Sequence, residues 1–463
     1  MPATLHYIHP EHIIGDVHPF YYDGTWYLYY LAPGFHSKLM TSTDLIHWEQ
    51  VPLTHGPRGR DDPELAPYYV LGVFRDHLTD VFRTYHGWLA GNMHCHHSRN
   101  LTHWEYAPPE YRVLAQYQRY SSQRDPYVFW NDTEDQYWCV MTCKVRGLDD
   151  AHSGAVGYAS SPDLRHWQGR GDLYFPGDIR EPEVPQVFRI GDMWYLLASV
   201  MTGEMVGRPS YWMSAAPTGP WTTGIPDSLD GGNLQAAQVG FDGERWLLFG
   251  WIPLTTPEAH QRYTWGGHLA FPREVIRLAN GELGVRLEPA FGAAIRGEAL
   301  VLDGTYTALP ISGEWATGAT LLYTPAVPSE EGIAELPVRN ARLDIALGFT
   351  PALSARQVGV RLGQRAEVGW DRGRARWFIS GAHGSRTYAE LPFQPGDERC
   401  TLRIIIEDDM IELFANDRYA LCGRLPSQVG ATTVRLFATG GPVIFDTVRL
   451  HALREASAIG AVG

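Results

Sequence analysis

A short motif ending in tryptophan recurs along the first half of this 463-residue chain, and its spacing constrains the fold more than any other feature. Ser-Thr-Asp-Leu-Ile-His-Trp occupies 42–48, Ser-Arg-Asn-Leu-Thr-His-Trp 98–104 and Ser-Pro-Asp-Leu-Arg-His-Trp 161–167, and a degenerate copy, Ala-Pro-Thr-Gly-Pro-Trp, ends at Trp221. The steps from Trp to Trp are 56, 63 and 54 residues. That exceeds one hairpin and suits four short strands with their turns, the size of a propeller blade. Turn signals interleave with the motif at Asp23-Gly24, His86-Gly87, Glu134-Asp135, Gly191-Asp192 and Asp242-Gly243, which gives five hairpins. Residues 1–285 show no long helical periodicity, and Gly and Pro interrupt them every few positions.

The expected class is all-β: a five-bladed β-propeller over 1–290, a Gly/Ala-rich linker over 291–300 and a C-terminal β-sandwich over 301–463. The sandwich rests on alternating segments such as Thr401-Leu-Arg-Ile-Ile-Ile-Glu407 and Met410-Ile-Glu-Leu-Phe-Ala-Asn416.

Three carboxyl side chains stand just ahead of the same local pattern, a short apolar strand that turns back. They are Asp16 in Gly-Asp-Val-His-Pro, Asp125 in Arg-Asp-Pro and Glu183 in Glu-Val-Pro. Innermost strands of a propeller line its axis, so the heads of these strands converge on one face. The corresponding position of the second unit is expected at Asp80, and the loops returning to that face carry His36, Asn92, Lys144 and Trp251. Singly, each acid is better explained as a turn cap or strand-end charge; jointly, repeated placement points to a site. Two carboxyls flanking a glycosidic bond suffice for its cleavage, and a third raises a neighbour's pKa and grips sugar hydroxyls.

Composition narrows the partners. A net charge of −14 argues against nucleic acid, whose phosphates demand a basic face. No basic run suits an anionic membrane surface and no window approaches 18 apolar residues, so no membrane partner is expected. The N-terminus carries no leader pattern, and the expected location is cytoplasmic. Aromatic residues make up 12% of the chain, which suits β-core packing and the stacking of sugar rings. Five Cys are too few and scattered for a disulfide framework. His94, Cys95, His96 and His97 are dense but lack a second ligand pair at zinc spacing, so neither a catalytic metal nor a cofactor is expected.

These residues carry a resemblance. With Asp16, Arg124-Asp125-Pro126 and Glu183-Val184-Pro185 in this order, the chain resembles glycoside hydrolase family 32, the invertase, inulinase and levanase group. Trp265-Gly-Gly-His-Leu-Ala-Phe-Pro-Arg-Glu274 and the stretch from Glu412 to Asn416 are also similar to that family. The resemblance implies a propeller followed by a sandwich and a retaining mechanism releasing a terminal furanosyl unit, β-fructofuranosyl first, from small saccharides. By it, Asp16 is the nucleophile, Asp125 the transition-state stabiliser and Glu183 the acid/base. His18, His36, Asp80, Asn92, Arg124, Trp251 and Trp265 are the expected substrate contacts, with Glu181 a rival acid.

Several family features are altered here. The opening Trp-x-Asn-Asp-Pro-Asn-Gly is reduced to Ile14-Gly15-Asp16-Val17-His18-Pro19, the Cys of Glu-Cys-Pro is Val184, and Leu78-Thr79-Asp80-Val81-Phe82 replaces a Phe-Ser-Gly-Ser motif. Alternatives are an inverting arabinofuranosidase or xylosidase resembling family 43, and a carbohydrate-binding propeller without catalysis. The oligomeric state stays open, a homodimer included.

Overall fold

The computed structural model describes residues 4–56, 69–87, 91–203, 206–231, 233–256, 259–301, 314–315, 321–324, 331–381, 387–393, 399–425, 432–441 and 443–460. Five sheets follow one another as blades I to V, antiparallel except that Thr54–His55 joins the outer edge of blade II in parallel. Blade I comprises Gly15–Tyr22, Thr25–Ala32, His36–Ser42 and Glu49–Val51. Blade III comprises Tyr120–Asn131, Gln136–Val145, Gly154–Ser161 and Gln168–Tyr174, and blade IV begins with Pro182–Ile190 and Met193–Gly203. Blade V begins with Gln235–Phe241 and Trp246–Thr256. The ring closes where Ile14 and Gly267 exchange two backbone hydrogen bonds, at 3.1 and 2.8 Å, tying the head of blade I to blade V.

The recurring motif is the turn between the third and fourth strands. In blade I, Asp44 Oδ1 accepts from the backbone N–H of Ile46 and His47 at 2.9 and 2.8 Å, and Oδ2 holds His47 Nδ1 at 2.7 Å. Ser42 Oγ accepts from Leu45 N at 2.8 Å. Asn100 and Asp163 accept in the same way from His103 N and His166 N, at 2.9 and 3.0 Å. The intervening leucines, Leu45, Leu101 and Leu164, take φ of 66°, 66° and 64°, in the left-handed region. All three are buried, so side-chain packing and two or more side-chain-to-backbone bonds offset that backbone cost.

Blade II departs from the expected register. Its innermost strand is only Phe74–Asp76, followed by Val81–His86, His94–Ser98 and His103–Tyr106. Asp80 therefore sits in the hairpin turn (φ 55°), as Asp23 and Asp135 do in blades I and III (47° and 55°). This is the far end of the strand from the expected position, and Asp80 there pairs with Arg75. His86-Gly87 lies at the opposite end of the second strand. A three-residue strand carries too little alternation to reveal its phase.

The stretch expected as a linker is ordered. Glu288 caps a short helix, Pro289–Ala294, its carboxylate accepting from Phe291 N at 2.5 Å, with Pro289 in the first turn, where no N–H is needed. Arg296–Val301 then pairs with Val443–Leu453 as a strand of the sandwich. Alanine favours helix, which is why a Gly/Ala-rich stretch here is not a loose tether.

The sandwich has two antiparallel sheets. One is built on Val443–Leu453, Arg342–Pro351, Cys400–Glu407, Met410–Ala415 and Tyr419–Arg424; the other on Glu331–Asn340, Thr432–Thr439, Gln357–Leu362, Ala366–Asp371, Arg376–Gly381 and Thr387–Pro392. Their facing sides meet in a core that includes Ile345, Ile404, Val360 and Trp377. The two domains join through buried charge. Arg273 of blade V bonds Asp230 at 2.7 Å and Glu412 of the sandwich at 2.8 Å, and His6 bridges Glu407 and Glu412 at 2.9 and 3.1 Å, all fully buried. All five cysteines are buried free thiols. Among the described residues, no helix is long and apolar enough to cross a membrane.

Candidate active site

The innermost strands of blades I, III, IV and V each break register at the same level. The irregularities fall between Gly15 and Val17, Arg124 and Tyr127, Glu183 and Gln186, and Gln235 and Gln238. A bulge inserts a residue, bends the strand and re-aims side chains, here toward the axis. In blades III to V the bulged residues Asp125, Val184 and Ala236 hold φ of 52°, 46° and 43°. For β-branched Val184 that is a strained conformation, of the kind that gathers at functional sites.

The bulges also correct the expectation that the three acids hold equivalent positions. Asp16 and Asp125 occupy the bulge itself. Glu183 stands one residue earlier, in register with Arg124 and Gln235.

All three acids open into one funnel of about 290 Å³, with His18, Arg124, Trp251 and Trp265 also in its wall. Trp251 Nε1 donates to Asp16 Oδ1 at 3.3 Å. Burial, and then the Asp125 charge, push Asp16 up to about 6, against the lowering pull of the Trp251 bond and Arg124. Glu183 is pushed up to about 7: burial is the largest cause, Arg124 opposes it, and the charges of Asp125, Asp16 and Glu181 add to it. A third of the Glu183 side chain remains exposed (32%), on the lining of the funnel. Asp125 Oδ2 lies 3.0 Å from Thr142 Oγ1, 3.4 Å from Val184 N and 3.3 Å from Arg124 Nε, so its carboxylate is fixed from three sides.

His18 is buried, and its Nδ1 meets Gln238 Oε1 at 2.7 Å. The Gln238 amide nitrogen points at Val184 O, 3.5 Å away, which orients its oxygen toward His18. Burial holds this imidazole neutral, down to about 4, so Nδ1 carries the proton and donates. Nε2 is then an acceptor, and it has no protein partner among the described residues.

Aromatic rings form one wall. Trp265 lies 6.2 Å from Trp251 and 5.1 Å from Phe35, centroid to centroid. A Cβ on Gly15 would stand 2.1 Å from the Trp265 ring, so only glycine lets this indole reach its place. Gly15 and Trp265 are thus a matched pair.

Three expected contacts lie outside the funnel lining. Asp80 is in the blade II turn. His36 begins the third strand of blade I, and its neighbour Phe35, at φ 57° in the turn, faces the funnel instead. Asn92 is occupied structurally, its Oδ1 accepting from Ala115 N at 3.0 Å. Tyr69 and Leu71, from the segment ahead of Phe74–Asp76, take the wall that blade II was expected to supply. Glu181, the rival acid, also lies outside the lining and bonds Arg124 Nη1. Gln235, Ser199 and Met201 join the wall without a signal in the sequence; Gln235 becomes identifiable only through its register with Glu183. Among the described residues, no group of three or more His, Cys, Asp or Glu is placed to hold a metal ion.

Known proteins resemble this chain over most of its length. Sucrose-6-phosphate hydrolase of Escherichia coli is 24% identical over 434 residues, spanning 88% of this chain and 83% of that protein. Raffinose invertase of Escherichia coli is 25% identical over 349 residues, 71% of this chain and 67% of its own length. Among solved structures, exo-inulinase from Aspergillus awamori superposes with a TM-score of 0.72 at 16% identity, covering 98% of this chain and 99% of that one. Sucrose-6-phosphate hydrolase from Lactobacillus gasseri does so at 0.70 and 17%, covering 98% and 94%. These structural likenesses show the fold, a propeller with a sandwich behind it. Residues 6–285 match the family description "Glycosyl hydrolases family 32 N-terminal domain" and residues 321–452 match "Glycosyl hydrolases family 32 C terminal". With both domains matched in sequence and the funnel built at the expected end of the propeller, this chain belongs to glycoside hydrolase family 32.

Proposed function

We propose that the funnel hydrolyses β-fructofuranosides, releasing a terminal fructosyl unit from small saccharides with retention of configuration. The observation that carries this reading is the pairing of Asp16, at about 6, with Glu183, at about 7, in one funnel. Between those values one carboxyl is ionised and the other holds its proton, which is the division of labour that glycoside cleavage needs. The relatives named above, a sucrose-6-phosphate hydrolase and a raffinose invertase, support fructosyl as the unit released.

In the first step Asp16 bonds to the anomeric carbon as the bond to the leaving oxygen breaks, and Glu183 gives its proton to that oxygen. Asp125, held by Arg124 and Thr142, grips ring hydroxyls and faces the positive charge that develops on the ring. Water then attacks the anomeric carbon, passes its proton to Glu183 and expels the Asp16 carboxylate. His18 Nε2 accepts from a sugar hydroxyl, and the Trp251, Trp265 and Phe35 wall stacks on the sugar's C–H face.

The test is a panel of sucrose, fructo-oligosaccharides of inulin and levan type, and arabino-, galacto- and xylo-configured glycosides. Fructose release from the first group alone is expected. Release of another sugar with fructosides untouched would overturn the fructosyl assignment.

A further inference from the structure

Arg124 is the only lysine or arginine among the described residues that line the funnel, and it serves three carboxylates. Its Nε lies 3.3 Å from Asp125, Nη1 2.5 Å from Glu181 and Nη2 2.6 Å from Glu183. Glu181 does not reach the funnel. It sits behind Arg124 with 13% of its side chain exposed, and Lys144 Nζ stands 3.7 Å from the same oxygen that Arg124 bonds. Lys144 also pairs with Asp150, whose other oxygen bonds Arg180 at 2.7 Å. A row of alternating charge therefore runs outward from Glu183 to the exposed Asp150 and Arg180.

The fork of a guanidinium matches a carboxylate through two parallel bonds, and such a clamp holds the acid ionised. A proton donor must avoid it. Here Nη1 is taken by Glu181, Nη2 reaches only Glu183 Oε1, and no bond from Arg124 reaches Oε2.

We propose that Glu181, steadied by Lys144, is a positioning residue that occupies one arm of the Arg124 fork and so keeps Glu183 in a single-bonded, protonatable state. The inference rests on the reading of Glu183 as the acid/base. Glu181 adds to the negative surroundings that, after burial and with the charges of Asp125 and Asp16, raise Glu183 against the pull of Arg124. It also gives a role to a carboxylate two residues ahead of the acid/base that the reaction itself does not use.

The experiment is the pH profile of kcat/KM for wild type, Glu181→Gln and Glu181→Asp, with the preferred fructoside of the panel and with β-fructosyl fluoride. Fluoride departs with little help from an acid. In Glu181→Gln, Arg124 is released toward Glu183, so the alkaline limb moves about one pH unit toward acid and the rate on the ordinary fructoside at pH 7 falls about fivefold. The fluoride rate changes by less than about twofold, and Glu181→Asp recovers part of the shift. An unmoved alkaline limb in a Glu181→Gln protein that melts as wild type does would overturn the positioning role alone. If Glu181→Gln abolishes cleavage of the ordinary fructoside, spares the fluoride and is rescued by azide, while Glu183→Gln is active, Glu181 is the acid itself. That outcome would overturn both this inference and the reading of Glu183.

Discussion

In the proposed reaction Asp16 and Glu183 perform opposite tasks with nearly the same functional group, and their surroundings separate them. Asp16 receives a hydrogen bond from Trp251, which favours its charged form, whereas Glu183 has more negative neighbours than positive ones. The sign of the pH dependence follows. On these roles activity is expected to fall as pH drops through about 6, where Asp16 takes up a proton, and as it rises through about 7, where Glu183 gives its proton up. A bell-shaped kcat/KM profile with its maximum between those values is expected, and a profile still rising above pH 8 would contradict the assignment of roles. These acids were legible in the sequence because each stands beside a turn-and-strand pattern that survives without neighbours. Phe35, Tyr69 and Gln235 were not, because what brings them into the funnel is a positive-φ turn, an irregular segment and a bulge, none of which alternation predicts.

At the level of strands and turns, the blade repeat is a device of side-chain-to-backbone bonding. The Asp/Asn-Leu-x-His-Trp turn was read as a blade marker, and its atoms explain why: one carboxylate or amide satisfies two backbone N–H groups that no strand ladder reaches. Asp44→Ala would strip those bonds and the one to His47 while touching nothing in the funnel. A loss of about 1–3 kcal/mol in unfolding free energy with kcat unchanged is expected, measured by denaturant melts beside initial rates. Blade II shows where such reading fails. With only Phe74–Asp76 as its innermost strand, the hairpin turn at Asp80 and the strand end at His86-Gly87 look alike in sequence, and the wrong one was placed at the funnel. The stretch 291–300 failed differently, because small residues serve a helical turn and a first strand as well as a tether.

The whole molecule depends on the buried charges between propeller and sandwich. Arg273 is bonded to carboxylates of both domains with no exposed surface, so Arg273→Met strands Asp230 without a counter-charge and leaves Glu412 with His6 alone. A cost of about 3–5 kcal/mol is expected by calorimetry, with separate melting of the two domains as its visible sign. For His6, burial alone lowers the pKa, but the bonds and charges of Glu407 and Glu412 prevail and raise it. A raised folded pKa means that this stabilisation is complete below the unfolded value of about 6.5 and is lost as pH rises through the folded one. His6→Gln should flatten that alkaline decline in melting temperature, leaving the funnel chemistry in place. The two-domain order was legible because a propeller period and sandwich alternation differ plainly; the seam was not, because His6, Arg273 and Glu412 are far apart in sequence.

The central claim, that Asp16 attacks and Glu183 protonates, is tested most directly by running the reaction in dilute methanol and determining the configuration of the methyl fructoside formed, in wild type and Asp16→Asn. A covalent intermediate on Asp16 predicts methyl β-D-fructofuranoside from the wild type and no methyl glycoside from the variant. Methyl α-D-fructofuranoside, or an Asp16→Asn protein that still transfers, would contradict the account.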